Sequence, residues 1–215
     1  MTTGAPTVDP AAADAKIFEI ERLQQGHTDR AEEARILALL RATAPAELDY
    51  IAGRLSLAAL LHDLDDRPIG PKNRAALLAL LCKERLADLS IATRGALIDA
   101  LQRGPTVAQD EQAIAAILLG TRGRDLIALK NAIDDGEDYR DLQQLVYHDI
   151  DDDLVRQRIL DHLRVEANLP DWTELKILSD IDDTFYCNWV DVRYPKKTIY
   201  PGVRPLPDGA RSSSR

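Results

Sequence analysis

Residues 92–129 read ATRGALIDALQRGPTVAQDEQAIAAILLGTRGRDLIAL, two apolar-periodic runs separated by a short turn at Gly104, Pro105 and Thr106. In the second run Ile114, Ile117 and Leu118 stand three and four positions apart, the spacing that lays one apolar stripe along an α-helix. Working outward, the same spacing returns at Ile36, Leu37, Leu39 and Leu40 and again at Leu77, Leu78, Leu80 and Leu81. It predicts ten helices, over 12–25, 30–42, 45–53, 54–63, 71–83, 86–102, 108–120, 122–134, 138–148 and 152–166, joined by short connections. With aromatics at only 5% of the chain, the expected fold class is mainly α.

An internal repeat emerges when the chain is slid against itself by 78 residues. Glu33, Ile36, Leu40, Thr43, Leu48 and Ile51 then fall over Glu111, Ile114, Leu118, Thr121, Leu126 and Leu129. Later, HDLDD at 62–66 faces HDIDD at 148–152 at a shift of 86, so the second copy carries a modest insertion. Two helical units of roughly 75–85 residues are expected.

These units resemble annexin repeats, on the strength of 92–129 and, more weakly, of QGHTDRAEEARILALLRA at 25–42. The resemblance covers about residues 15–165 and implies two five-helix bundles that serve as a platform for a membrane or a protein partner. The annexin calcium loop, G-x-G-T, is reduced here to Gly26-His27-Thr28 and Gly104-Pro105-Thr106. A loop of backbone carbonyls needs its glycines to turn around a hard cation, so the calcium expectation is weak. Asp66, 38 residues after Thr28, is the carboxylate placed to complete such a site in the first unit.

The 215 residues carry 27 basic and 36 acidic side chains, a formal charge of -9 that repels nucleic acid and anionic membranes on average. Cys82 and Cys187 have no C-x-x-C partner, so neither a disulfide framework nor a zinc cluster is expected. The opening MTTGAPTVDPAAADA lacks the basic and apolar regions of a secretory signal, and no run approaches the roughly 18 apolar residues of a membrane span. A cytoplasmic protein, at most peripheral to a membrane, is expected, with a disordered lead over residues 1–12 and helices over 13–168.

The acidic strings differ in context. HDLDD and HDIDDD each lie between two helices, where aspartates cap N–H groups and favour the positive helix end. An EF-hand at Asp149, Asp151 and Asp153 is excluded, because Leu154 stands where the loop needs glycine and Leu160 where it needs a bidentate glutamate. DIDDT at 180–184 follows LKILS, a short run that reads as a buried strand, and the loop after a strand tip is where α/β folds place chemistry. Here the chain resembles the first motif of the haloacid dehalogenase superfamily, hhhhDxDxT. The form SDIDDT, followed by IYPGVRPL at 199–206, is most similar to the phosphatidate phosphatase catalytic domain.

That resemblance implies roles. Asp180 is the nucleophile that forms an aspartyl-phosphate, Asp182 the acid and base, and Thr184 the ligand of a phosphate oxygen. Mg²⁺, held by the Asp180 side chain and the Asp182 backbone carbonyl, would offset the repulsion between carboxylates and phosphate. The substrate implied is a phosphorylated lipid or a small phosphomonoester. Residues 172–206 are then the first strand and loop of an α/β domain and 207–215 a disordered tail. Among the 31 residues after Thr184 no counterpart of the family's later lysine and distal carboxylates is found, so the 215-residue chain is expected to be a truncated, inactive phosphatase. His27, His62, His148 and His162 are scattered and read as surface or capping residues. The alternative reading is a non-catalytic annexin-like module for membrane or protein binding.

Overall fold

Asp9 starts the first helix: its carboxylate accepts the N–H groups of Ala11 (3.1 Å) and Ala12 (3.4 Å), and Pro10 occupies the first helical position with φ already set. Helix α1 therefore runs Pro10–Leu23, and the lead expected over 1–12 gives way to helix at residue 10. The computed structural model describes residues 8–64, 66, 70–103, 106–134 and 141–168. The backbone divides into Met1–Leu169 and Pro170–Arg215. The second segment lies outside the described residues, and with it the expected strand, loop and tail.

Helix α2 (Arg30–Ala42) opens on a reciprocal capping box. Asp29 accepts from Ala31 N and Glu32 N, while the Glu32 carboxylate accepts from Asp29 N at 2.8 Å. There follow α3 (Pro45–Ala52), α4 (Leu57–Asp63) and α5 (Asn73–Ala79). The helix expected over 71–83 loosens at Leu80 into a π-helical turn, Leu80–Glu84, and the one expected over 86–102 is two elements. A 3-10 turn, Leu86–Asp88, comes first; then Ser90, whose hydroxyl accepts Thr93 N at 3.3 Å, caps α6 (Ile91–Leu101). Helices α7 (Ala108–Leu119), α8 (Gly123–Asp134), α9 (Leu142–Gln144, continued by a π-helical turn Leu145–Asp149) and α10 (Asp153–Ala167) complete the order. Among the described residues there is no strand beyond one isolated antiparallel bridge, Asp66 to Lys72.

The apolar stripes converge on one continuous core. Ile36, Leu40, Leu48 and Ile51 are buried in it, as are Ile114, Leu118 and Leu129. Burying each such side chain contributes about 1.5–3 kcal/mol, so the helices owe their order to packing more than to propensity. Helix α1 packs on α2 and α3, α6 on α4 and α8, and α7 on α10 and the turn at 80–84. Among the described glycines the tightest surroundings are at Gly120, where an added Cβ would stand 2.5 Å from Leu86 Cδ2.

Candidate functional site

The polar residues singled out in the sequence become, in the fold, ties between elements about forty residues apart. Gln24, the C-cap of α1, donates from Nε2 to Asp63 Oδ2 at 2.8 Å. Gln102, the C-cap of α6, donates in the same way to Asp149 Oδ2 at 2.7 Å. Thus the first aspartate of each acidic string is a tie to another helix rather than a cap. In the second string Asp152 caps: it accepts from Leu154 N (2.8 Å) and Val155 N (3.2 Å) of α10.

Two buried glutamates sit one turn inside α2 and α7. Glu111 receives Asp151 N on Oε1 (3.2 Å) and Asp152 N on Oε2 (3.1 Å), so it holds the second acidic string against α7. Glu33 receives Asn73 Nδ2 on Oε2, but its Oε1 has no hydrogen-bond partner among the described residues. The Thr28 hydroxyl, buried at the loop before α2, is likewise unpartnered. Desolvating an unsatisfied polar atom costs about 1–3 kcal/mol, so this end of α2 carries a penalty that α7 does not.

Asp66, the carboxylate placed to complete a calcium loop, is already engaged on both oxygens. Oδ1 accepts Ala75 N at 3.1 Å and Oδ2 accepts Gln109 Nε2 at 2.9 Å. Gly26 does adopt the left-handed region, φ 90, that a tight loop demands. Among the described residues no three His, Cys, Asp or Glu side chains are grouped to hold a metal, and no helix is long and apolar enough to cross a membrane. His27, His62 and His148 are exposed, whereas His162 Nε2 bonds the Thr121 carbonyl oxygen at 2.9 Å.

A groove of about 700 Å³ lies between α8, α9 and α10, lined among the described residues by Lys130, Asp134, Leu142, Val146, Tyr147 and Leu163. Burial pushes the Asp134 carboxyl upward, but hydrogen bonds from Lys130 Nζ and Leu142 N, with the lysine charge, outweigh it and leave the group below the usual carboxylate range. Asp180, Asp182 and Thr184 lie outside the described residues. Sequence reasoning missed Gln24, Gln102, Arg74 and Gln109, since a lone amide or guanidinium on a helix bears no periodic signal. The 78-residue shift, which carries Gln24 onto Gln102, held the one available clue. Comparisons with protein-family models, with curated proteins and with solved structures found no match to this chain.

Proposed function

We propose that the chain belongs to an Mg²⁺-dependent phosphatase of the haloacid dehalogenase type, similar to the phosphatidate phosphatases, with residues 13–168 as an annexin-like platform. One observation carries the catalytic part: the apolar run LKILS ends in Asp180-x-Asp182-x-Thr184, two carboxylates and a hydroxyl at the spacing of an aspartyl-phosphate loop. The Asp180 carboxylate attacks phosphorus while Asp182 delivers its proton to the departing oxygen. Asp182 then takes a proton from water, which attacks the aspartyl-phosphate and returns Asp180 and inorganic phosphate. Hard carboxylate oxygens suit Mg²⁺, which when bound offsets the charge of the phosphoryl group.

The platform reading draws support from the helices. The order α2, α3, α4 is matched by α7, α8, α9. The Gln24–Asp63 and Gln102–Asp149 bonds occupy corresponding positions, and so do the hydroxyl bonds of Thr43 to Leu39 O (2.7 Å) and of Thr121 to Ile117 O (2.8 Å). These favour two copies of one five-helix unit. The engagement of Asp66 argues for weak calcium affinity.

The test is phosphate release by the product of the whole reading frame, with phosphatidate and with p-nitrophenyl phosphate. Asp180→Asn abolishes Mg²⁺-dependent turnover, because an amide does not attack phosphorus. Turnover that persists in Asp180→Asn removes the phosphatase reading and leaves the second one, a non-catalytic module that binds a membrane or a protein. For that module, co-sedimentation with anionic vesicles is expected to be weak and to need calcium; strong binding in chelator overturns the annexin-like mode.

A further inference from the structure

The helices divide at residue 90 into α1–α5 and α6–α10, and the contact between them has an apolar part and a polar part. The apolar part includes α4 against α6, and the turn at 80–84 and Leu86 against α7, with Leu80, Leu81, Cys82, Ile114 and Leu118 all buried. Such contact is non-directional and by itself specifies the register of α7 only loosely.

The polar part is directional: Asp49 of α3 accepts Ser90 N (2.8 Å) and the Thr93 hydroxyl (2.6 Å) at the start of α6, and at α7 the bonds centre on Arg74. Its Nε donates to the Leu61 carbonyl at the end of α4 (3.1 Å), Nη1 to Gln109 Oε1 (2.9 Å) and Nη2 to Asp110 Oδ1 (2.6 Å). Gln109 Nε2 in turn donates to Asp66 Oδ2 (2.9 Å), and Asp66 Oδ1 accepts Ala75 N (3.1 Å), which closes a ring through α4, α5 and the first turn of α7. The ion pair is largely withdrawn from water, with side-chain exposures of 20% for Arg74 and 7% for Asp110. A slip of α7 by one turn would part Arg74 from Gln109 and Asp110 together and strand a buried carboxylate.

We infer that Arg74 is a latch that fixes the register of α7 on α4 and α5: it selects one of several apolar packings and adds little to overall stability. A buried ion pair replaced by apolar groups of similar volume is commonly neutral for stability, whereas its directional information is lost. Stability and register are therefore separable by experiment.

The experiment is hydrogen exchange followed by mass spectrometry, with thermal melting, on the full chain and on Arg74→Met and Arg74→Met/Asp110→Leu. In both variants the hydrogen-bonded amides at 110–115 are expected to exchange about tenfold faster than in the unmodified chain, with α8 and α10 changed far less. The double variant, having no stranded charge, regains the melting temperature of the unmodified chain while 110–115 stay fast. Unchanged protection at 110–115 in either variant overturns the latch. So does protection that returns together with the melting temperature in the double variant, since the pair would then be a stabilising contact and nothing more. Should Arg74→Met fail to fold, the double variant by itself decides between these outcomes.

Discussion

Glu33 and Glu111 occupy corresponding turns of α2 and α7, yet the same substitution should affect them unequally. In Glu111→Gln the side chain keeps one carbonyl oxygen but turns an NH₂ toward a backbone N–H, so one of the bonds from Asp151 N and Asp152 N is lost. A hydrogen bond to a charged group contributes about 1.5–3 kcal/mol, and the stranded N–H adds to the loss, so destabilisation of at least about 2 kcal/mol is expected. For a unit of this size that lowers Tm by about 4–8 °C. In Glu33→Gln the remaining carbonyl oxygen still accepts Asn73 Nδ2, and the buried oxygen with no partner becomes a neutral NH₂ in the same place, which costs less to desolvate than half of a carboxylate charge. Relief of that desolvation is offset by the loss of a negative charge near the positive end of α2, worth about 0.3–1 kcal/mol. The net change is expected within about 1 kcal/mol of zero. Urea melts of the two variants at pH 7, compared at equal slope, measure the difference. Equal losses in the two, or a neutral Glu111→Gln, would refute the assignment of a satisfied and an unsatisfied carboxylate.

Burial holds the Cys82 thiol up at about 12, with Lys83 opposing and Asp110 adding. In a Cys187→Ser background, dithionitrobenzoate at pH 8 should label Cys82 roughly a thousandfold more slowly in the native protein than in denaturant. Because the folded pKa is raised, the stability this thiol contributes is complete below the unfolded value near 9 and is lost as pH climbs toward 12; rapid native labelling at pH 8 contradicts the buried placement. Gly120→Ala brings a Cβ to 2.5 Å from Leu86 Cδ2 and should cost about 1–3 kcal/mol, partly recovered by Leu86→Val. A Gly120→Ala melt identical to that of the unmodified chain would contradict the close approach. The Asp134 carboxyl is depressed on folding, so its contribution is present above the unfolded carboxylate range and fades as pH falls through the folded pKa. Asp134→Asn should lower stability at pH 7 by less than about 1 kcal/mol, and the gap should shrink as pH falls through the folded carboxyl's range. A gap that widens in acid would reverse the sign.

The legible parts of the candidate site are those whose partners lie within one turn. Asp29 and Glu32 announce a helix start by their three-residue spacing, and Asp152 does so by standing between two helices; both cap as their positions require. Asp63 and Asp149 have the same composition around them and do something else, because the amides of Gln24 and Gln102 reach them from 39 and 47 residues away. Nothing local in HDLDD separates an aspartate that caps from one that ties two helices. Asp66 shows the limit most plainly: its distance from Thr28 fitted a cation loop, and the fold spends both of its oxygens on Ala75 N and Gln109 instead.

By itself, then, the sequence determined that this part of the chain is helical, roughly where each helix lies, and which faces are apolar. Helical periodicity and caps are contacts between residues three and four apart, and the chain spells them out in order. The tertiary structure alone decided where helices loosen, as at Leu80–Glu84 and Leu145–Asp149, each of which is a π-helical turn. It also decided which of two equivalent glutamates is satisfied and that Arg74 meets Asp110. Those pairings depend on how α5 and α7 come together in space, and apolar burial sets that only to within a turn, so the choice falls to directional bonds between residues that no sequence period connects.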